Sequence, residues 1–337
     1  LMLINTSLII LSIFVYFLIF YFRKQISTLF NVYDVSDEKR KIHKFPTPKT
    51  ASYALAFLFF TLIIFNYFYK LFEKDMNLVL MGTLTIFLIG FLDDKYKLSA
   101  ISKTILISLT TLILCFLSEN LVIGKFYIYT FDFFFVLGNF SLIFTILSVL
   151  CLTNSLNLAD GINGLATGIV FFWLIYINQI FENNIELITN IIFINLVLIF
   201  VHNIKGKHFL GDAGSLMLSS FLAYFIILLN NQATNDPGHQ KSAETILILF
   251  IFPVIDMIRL FFERLINKKK VAVGDKNHFH HHLIEKYNIS KALIIYFLLI
   301  NIPIMLSLYT NINKIIIILL IFIMYFSILY NIKKKHE

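Results

Sequence analysis

Carboxylates, amides and histidines that could do chemistry collect in four short clusters, each at a joint between apolar runs. The first is Asp93-Asp94, with Lys97 one turn further on. Adjacent carboxylates repel one another unless a cation or proton lies between them. Mg²⁺ uses such groups, taking one or two carboxylates and sharing its other positions with water and phosphate oxygens. Lys97 adds a phosphate-seeking cation, so the trio reads as a metal-plus-anion site; alone, Asp-Asp would be a solvated helix end. Asp212, within Gly211-Asp212-Ala213-Gly214-Ser215, supplies a third carboxylate. Glycine and serine at a helix start also expose backbone N–H groups to phosphate.

The second cluster is a ladder of Asn154, Asn157, Asp160 and Asn163, one every three residues. That spacing keeps them near one helical face, and amides are costly against lipid. With Gly161 and Gly164 interspersed, the ladder predicts a pocket-lining turn. An ordinary Asn/Gly turn accounts for Asp160-Gly161 but leaves Asn154 and Asn157, inside an apolar approach, unexplained. His278, His280, His281 and His282 form the last cluster, after Asp275. Zinc sites take three or four ligands at fold-determined spacing, often with cysteine. Cys115 and Cys151 lie far away inside apolar runs, and neighbouring histidines cannot all converge on one ion. With Lys268, Lys269, Lys270 and Lys276 alongside, contact with phosphate is the better reading. A basic loop on anionic headgroups is the plainer one.

These clusters need elements to position them. The chain has 337 residues, 58% hydrophobic and 14% charged, whereas soluble domains carry about a quarter charged residues. Its apolar runs are about 17 to 25 residues long, enough to cross roughly 30 Å of hydrocarbon as helix. The expected fold is therefore all-α and polytopic. Eleven spans are predicted near 2–22, 51–72, 77–92, 100–118, 137–156, 165–181, 186–203, 215–231, 244–263, 291–310 and 314–332, in one membrane domain. The first reads as an uncleaved span, lacking a basic n-region and a small-residue cleavage site.

Of the 28 Lys and Arg residues, 21 fall on one set of joints and 5 on the other. The positive-inside rule puts the richer set in the cytoplasm, with the N-terminus outside and the C-terminus inside. All the motif loops (23–50, 93–99, 154–164, 204–215 and 264–290) then share the cytoplasmic face. The net charge of +8 reads as orientation rather than nucleic-acid binding.

In this order, the motifs resemble those of the polyprenyl-phosphate N-acetylhexosamine-1-phosphate transferases, a membrane family. The resemblance spans residues 34–285. It rests on Asp-Asp-x-x-Lys (Asp93, Asp94, Lys97), Asn-x-x-Asn-x-x-Asp-Gly (Asn154 to Gly161), Gly-Asp-x-Gly-Ser (Gly211 to Ser215) and the histidine loop. Arg259 and Arg264 ahead of Asp275-x-x-His278-x-His280-His281, and Lys41-x-His43-x-x-Pro46-Thr47-Pro48, are more similar to the GlcNAc-1-phosphate branch than to the lipid I branch. Three departures stand out: Lys49-Thr50-Ala51-Ser52 where the family commonly has Arg-x-Gly-Gly, Asn163 where many members have Asp, and Val271-Ala272-Val273 for the usual Ser-Pro-Phe.

The resemblance implies transfer of HexNAc-1-phosphate, GlcNAc-1-phosphate first, from a UDP-sugar to undecaprenyl phosphate in the inner membrane, with release of UMP. The product would start a lipid-linked surface glycan such as O-antigen, capsule or teichoic acid. It implies Mg²⁺, with Mn²⁺ as an alternative, held by Asp212 with Asp93 and Asp94. Lys97, Asn154, Asn157, Asp160 and Asn163 would position nucleotide and diphosphate. Arg264, His278, His280 and His281 would take the sugar-phosphate end. The partners are the two substrates and membrane lipid, with a homodimer left open. Rival readings are a lipid I-forming transferase, a transporter of an anionic or lipid-linked substrate, and an inactive lipid-phosphate scaffold. Transporters place polar groups near the bilayer midplane within paired repeats; here the carboxylates sit at the joints and no repeat is visible.

Overall fold

The computed structural model describes residues 2–34, 46–181, 185–232, 239–268 and 277–334. Each of the eleven predicted apolar runs is a helix. Nine helices among the described residues are long and apolar enough to cross a membrane. They number up to ten if α1 (Met2–Tyr21) and α2 (Arg23–Phe30), bent by 68°, form one span. The helix of the predicted 165–181 span is shorter, at 16 residues (Leu165–Ile180), about 24 Å at 1.5 Å per residue. The expected eleven thus becomes nine to ten crossings by length and composition. The 35–45 and 269–276 stretches of the motif loops, with Lys41, His43 and Asp275, lie outside the described residues.

The chain forms two compact units. Unit 1 contains α1, α2, α3 (Ala51–Tyr69), α4 (Lys74–Tyr96), α5 (Ala100–Leu117), α6 (Ser141–Ala159), α7 (Leu165–Ile180), α8 (Glu186–Ile204) and α9 (Gly211–Gln232). Two short strands, β1 (Tyr33–Asp34) and β2 (Thr47–Pro48), pair antiparallel.

Helix α9 is the axis of unit 1. Every residue from Ala213 to Leu229 is buried, as expected of a helix that is apolar on all sides. Small residues let its neighbours approach closely. A Cβ on Gly90 of α4 would stand 2.5 Å from Ala213 Cα and 2.6 Å from the Asp212 carbonyl oxygen. The α4–α9 crossing therefore depends on glycine at that point. Serines along α9 return their hydroxyls to the helix, as Ser219 does to the Ser215 carbonyl (2.6 Å), so no polar group is stranded.

Unit 2 contains a hairpin of β3 (Lys125–Ile128) and β4 (Phe133–Val136), then α10 (Ala243–Ile266), α11 (Phe279–Lys286), α12 (Ile289–Tyr309) and α13 (Lys314–Lys333). Side-chain caps start three of these helices: Ser242 accepts from Thr245 N, Asn288 from Lys291 N and Asn313 from Ile315 N, satisfying donors that helix geometry leaves open.

Candidate active site

At one end of unit 1, helix termini bring the first three clusters together. The pieces are the C-terminus of α4, the N-terminus of α5, the α6–α7 turn, the α8–α9 loop and the segment preceding α3. That segment is stitched in place by its backbone. Lys49 N donates to Val32 O (3.1 Å), Phe209 N to Pro48 O (2.9 Å) and Ala51 N to Phe209 O (3.1 Å). Thr50 Oγ1 meets His208 Nε2 at 2.8 Å. Burial pushes His208 down to about 3, helped by Arg23 and His202. The ring is thus neutral and able to accept.

Asp94 is the structural hub. Its side chain is 1% exposed, and both oxygens are engaged. Oδ1 accepts Lys49 Nζ (2.9 Å) and Asp212 N (3.2 Å); Oδ2 accepts Ala213 N (3.0 Å). The first N–H groups of α9, expected to face phosphate, are instead capped by Asp94, where the helix dipole favours negative charge. Gly211, at φ +71°, has no Cβ because one would stand 2.6 Å from Asp94 Oδ2. Asp93 is buried and pairs with Lys103 Nζ at 2.6 Å. Asp212 is half-buried, and its carboxylate makes no hydrogen bond or ion pair among the described residues.

The Asn ladder splits. Asn157 Oδ1 accepts Ser215 Oγ (2.8 Å), tying α6 to α9. Asn154 folds back to Leu150 O (2.8 Å). Asp160 caps the end of α6, and burial lifts its carboxyl well above the usual range, with Asp212 adding to the rise and Lys49 opposing it. Asn163 lies in the turn before Gly164, half-buried. The turn is fixed by Gly164 N donating to Asn203 Oδ1. Lys97 is exposed with a left-handed backbone at the end of α4. Four carboxylates (Asp93, Asp94, Asp160, Asp212) thus share this end with two buried-side cations, Lys49 and Lys103. Sequence reasoning placed Lys103 in a span and Lys49 in a basic anchor, and assigned neither to the site.

Residues 76–230 match the family model described as glycosyl transferase family 4. Over this segment, a little under half of the sequence, the chain is similar to that family. The family 4 segment holds Asp93, Asp94, Asn154, Asn157, Asp160 and Asp212. A probable undecaprenyl-phosphate N-acetylglucosaminyl 1-phosphate transferase of Bacillus subtilis is 31% identical over 218 residues, 63% of this chain and 59% of that protein. The chain thus spans less than two thirds of that relative. The undecaprenyl-phosphate alpha-N-acetylglucosaminyl 1-phosphate transferase of Escherichia coli K12 is 26% identical over 298 residues, 83% of this chain and 76% of the relative. A phospho-N-acetylmuramoyl-pentapeptide-transferase of Thermotoga petrophila is 25% identical over 215 residues, covering 60% and 65%.

The family 4 match ends before the histidines, which belong to unit 2. There, Asp256 of α10 organises them. Its Oδ1 accepts Arg259 Nη2 (2.8 Å), Tyr325 OH (2.6 Å) and Phe279 N (3.1 Å); Oδ2 faces His278 Nδ1 at 3.2 Å. His280 is buried with Nε2 unbonded, and burial drives its imidazole well below the usual range, with His281 and His278 contributing. Donor atoms of Asp256, His278 and His280 lie within 4.8 Å of one another. Sequence reasoning held that neighbouring histidines cannot all converge on one ion, and His281 and His282 are not part of this group. The third donor, which sequence reasoning did not assign, is Asp256 within the apolar helix α10. His281 sits on α11 with its ring 4.4 Å from that of His280, and Arg264 is buried in the last turn of α10.

Proposed function

We propose that this chain transfers HexNAc-1-phosphate, GlcNAc-1-phosphate first, from a UDP-sugar to undecaprenyl phosphate, releasing UMP. The observation that carries this reading is the set of four carboxylates and two lysines at one end of unit 1. Its four carboxylates and Lys103 fall within the family 4 segment, and relatives bearing that activity in their names match the chain. Phosphoryl transfer needs charge neutralisation and alignment more than covalent help. A lipid-phosphate oxygen would attack the β-phosphorus of the donor, breaking its bond to the bridging oxygen, which leaves on UMP.

The residues fit a divalent metal such as Mg²⁺. The donors are oxygens, carboxylates outnumber the cations, and Asp212 is uncommitted among the described residues. Asp212 would hold the ion with Asp93, and the ion would neutralise diphosphate charge. Asp94 would act by holding the start of α9. Asp93, released from Lys103, would orient the acceptor phosphate or take its proton; a phosphate monoester is already largely ionised near pH 7. Asn154, Asn157, Asp160, Asn163 and Lys97 are assigned to the nucleotide and diphosphate, and His278, His280, His281 and Arg264 to the sugar-phosphate. The lysine and arginine distribution supports an inner-membrane protein with the site on the cytoplasmic face.

The test is purified protein with undecaprenyl phosphate, Mg²⁺ and a panel of UDP-HexNAc donors, read as UMP release and glycolipid mass. UMP with matching glycolipid is expected. Folded protein that turns over none of the donors would overturn the proposal.

A further inference from the structure

The β3–β4 hairpin carries an apolar surface that the transfer reaction does not use. Register pairs Lys125 with Val136, Phe126 with Phe135, Tyr127 with Phe134 and Ile128 with Phe133. Directly opposed residues share a face, so aromatic rings occupy both faces. Phe126 and Phe135 stack at 5.2 Å on one; Tyr127 and Phe134 meet at 5.2 Å on the other. All four residues of β4 are exposed, as is Phe131 at 64%.

The hairpin's level is fixed by two buried charges of unit 2. Glu244, in the first turn of α10, accepts the N–H groups of Tyr129 and Thr130 at 3.1 and 2.9 Å. Lys314, the first residue of α13, donates to Ser242 Oγ (3.0 Å), Thr245 Oγ1 and His239 O. Its ammonium also lies 5.2 Å from the Tyr129 ring. Both α10 and α13 are membrane spans by length and composition. The hairpin tip is therefore latched where these spans begin, at the edge of the hydrocarbon.

In water, a strand with phenylalanines on both faces and an open edge invites association. In hydrocarbon, the unpaired backbone of that edge would find no partner. The headgroup–acyl boundary satisfies both demands, and aromatic rings concentrate there. Lys125, with Nζ 4.8 Å from the Phe134 ring, can lay its stem along the rings and keep its charge at phosphate level. We propose that this hairpin is an interfacial foot whose occupant is lipid, seated in the leaflet at the N-terminal ends of α10 and α13. Its lysine faces the headgroups and its phenylalanines the upper acyl chains. The inference stands apart from the assignment of the reaction.

The test places a fluorescent probe on each face. Trp173, the chain's single tryptophan, is buried and gives a constant background. Phe134→Trp and Phe135→Trp are made separately in the full chain and reconstituted in nanodiscs. The expected result is at least twofold quenching of the added tryptophan by phospholipid brominated near the carbonyl, with little quenching by aqueous iodide. Quenching by iodide but not by bromolipid would overturn the proposal. So would shielding from both quenchers together with Phe135→Cys disulfides between copies, which would make the hairpin a protein interface. Should a tryptophan variant misfold, the unmodified protein is labelled with a diazirine phospholipid reactive near the carbonyl. Labelled residues within 125–136 support the foot, and their absence alongside labelled residues on α13 overturns it.

Discussion

Lys49 Nζ stands 2.9 Å from Asp94 Oδ1, and this pair joins the strand before α3 to the hub that caps α9. The lysine also reaches Asp34 at 3.5 Å. Burial would lower the Lys49 ammonium, but Asp94, Asp212 and Asp34 together hold it above the ordinary lysine value. It is a fixed cation at any working pH. Lys49→Met is expected to cost roughly 2–4 kcal/mol of stability, because it leaves Asp94 buried without its counter-charge. Lys49→Arg keeps the charge and should stay within about 1 kcal/mol. Unfolding in mixed micelles compares them; equal losses would show that the charge is not what matters.

Two further acids of the site, Asp212 and Asp93, separate by their metal response. Asp212→Asn is expected to lower turnover more than 100-fold and to abolish the normal Mg²⁺ titration. Asp93→Asn should lower turnover more than tenfold while leaving the Mg²⁺ midpoint closer to that of the parent. An Asp212→Asn protein with ordinary Mg²⁺ dependence would remove Asp212 as the metal ligand. An Asp93→Asn protein losing less than tenfold would remove Asp93 as the base.

His208 predicts an acid-side loss of stability. Its folded pKa is about 3, below the ordinary histidine value of about 6.5. Below pH 6.5 the unfolded chain takes up a proton that the folded chain refuses, so stability falls as pH drops from about 6.5 toward 3. His208→Gln removes that linkage. Thermal midpoints at pH 7 and pH 5 should differ less in the variant than in the parent. An unchanged difference would show that His208 is protonated in the fold.

Asp256 and Arg259 form a buried pair within α10 at 2.8 Å. Asp256→Ala or Arg259→Met alone should each cost about 3–5 kcal/mol, since each leaves the other charge buried. The double variant should fall short of the sum by roughly 1–3 kcal/mol, as contacting residues do. Strict additivity in a double-mutant cycle would mean that the two act independently.

Much of the scaffold was legible because lipid imposes one rule on every crossing segment: satisfy the backbone internally and stay apolar for about 20 residues. The reading faltered at Leu165–Ile180, where an apolar run is real but shorter than the usual crossing. Asp93, Asp94 and Asp212 were visible because they interrupt apolar runs at joints. Lys103 and Asp256 were overlooked although they carry the same signal from inside a span. An intramembrane charge is costly unless paired, and an Asp three residues before an Arg within one apolar helix points to such a pair. Which lysine meets which aspartate depends on how helices cross, and glycine at position 90 only hints at that.

The burial of α9 on all sides separates the site from the thickness of its solvent. Lipids of different chain length act on helices that touch them, through tilt and local stretching of the bilayer. Helix α9 meets protein along nearly its whole length, so such loads reach Asp212 only after passing through the surrounding helices. Spacing of the carboxylates is thereby insulated from membrane composition, and a change of host lipid would alter access to the site before it altered the geometry inside.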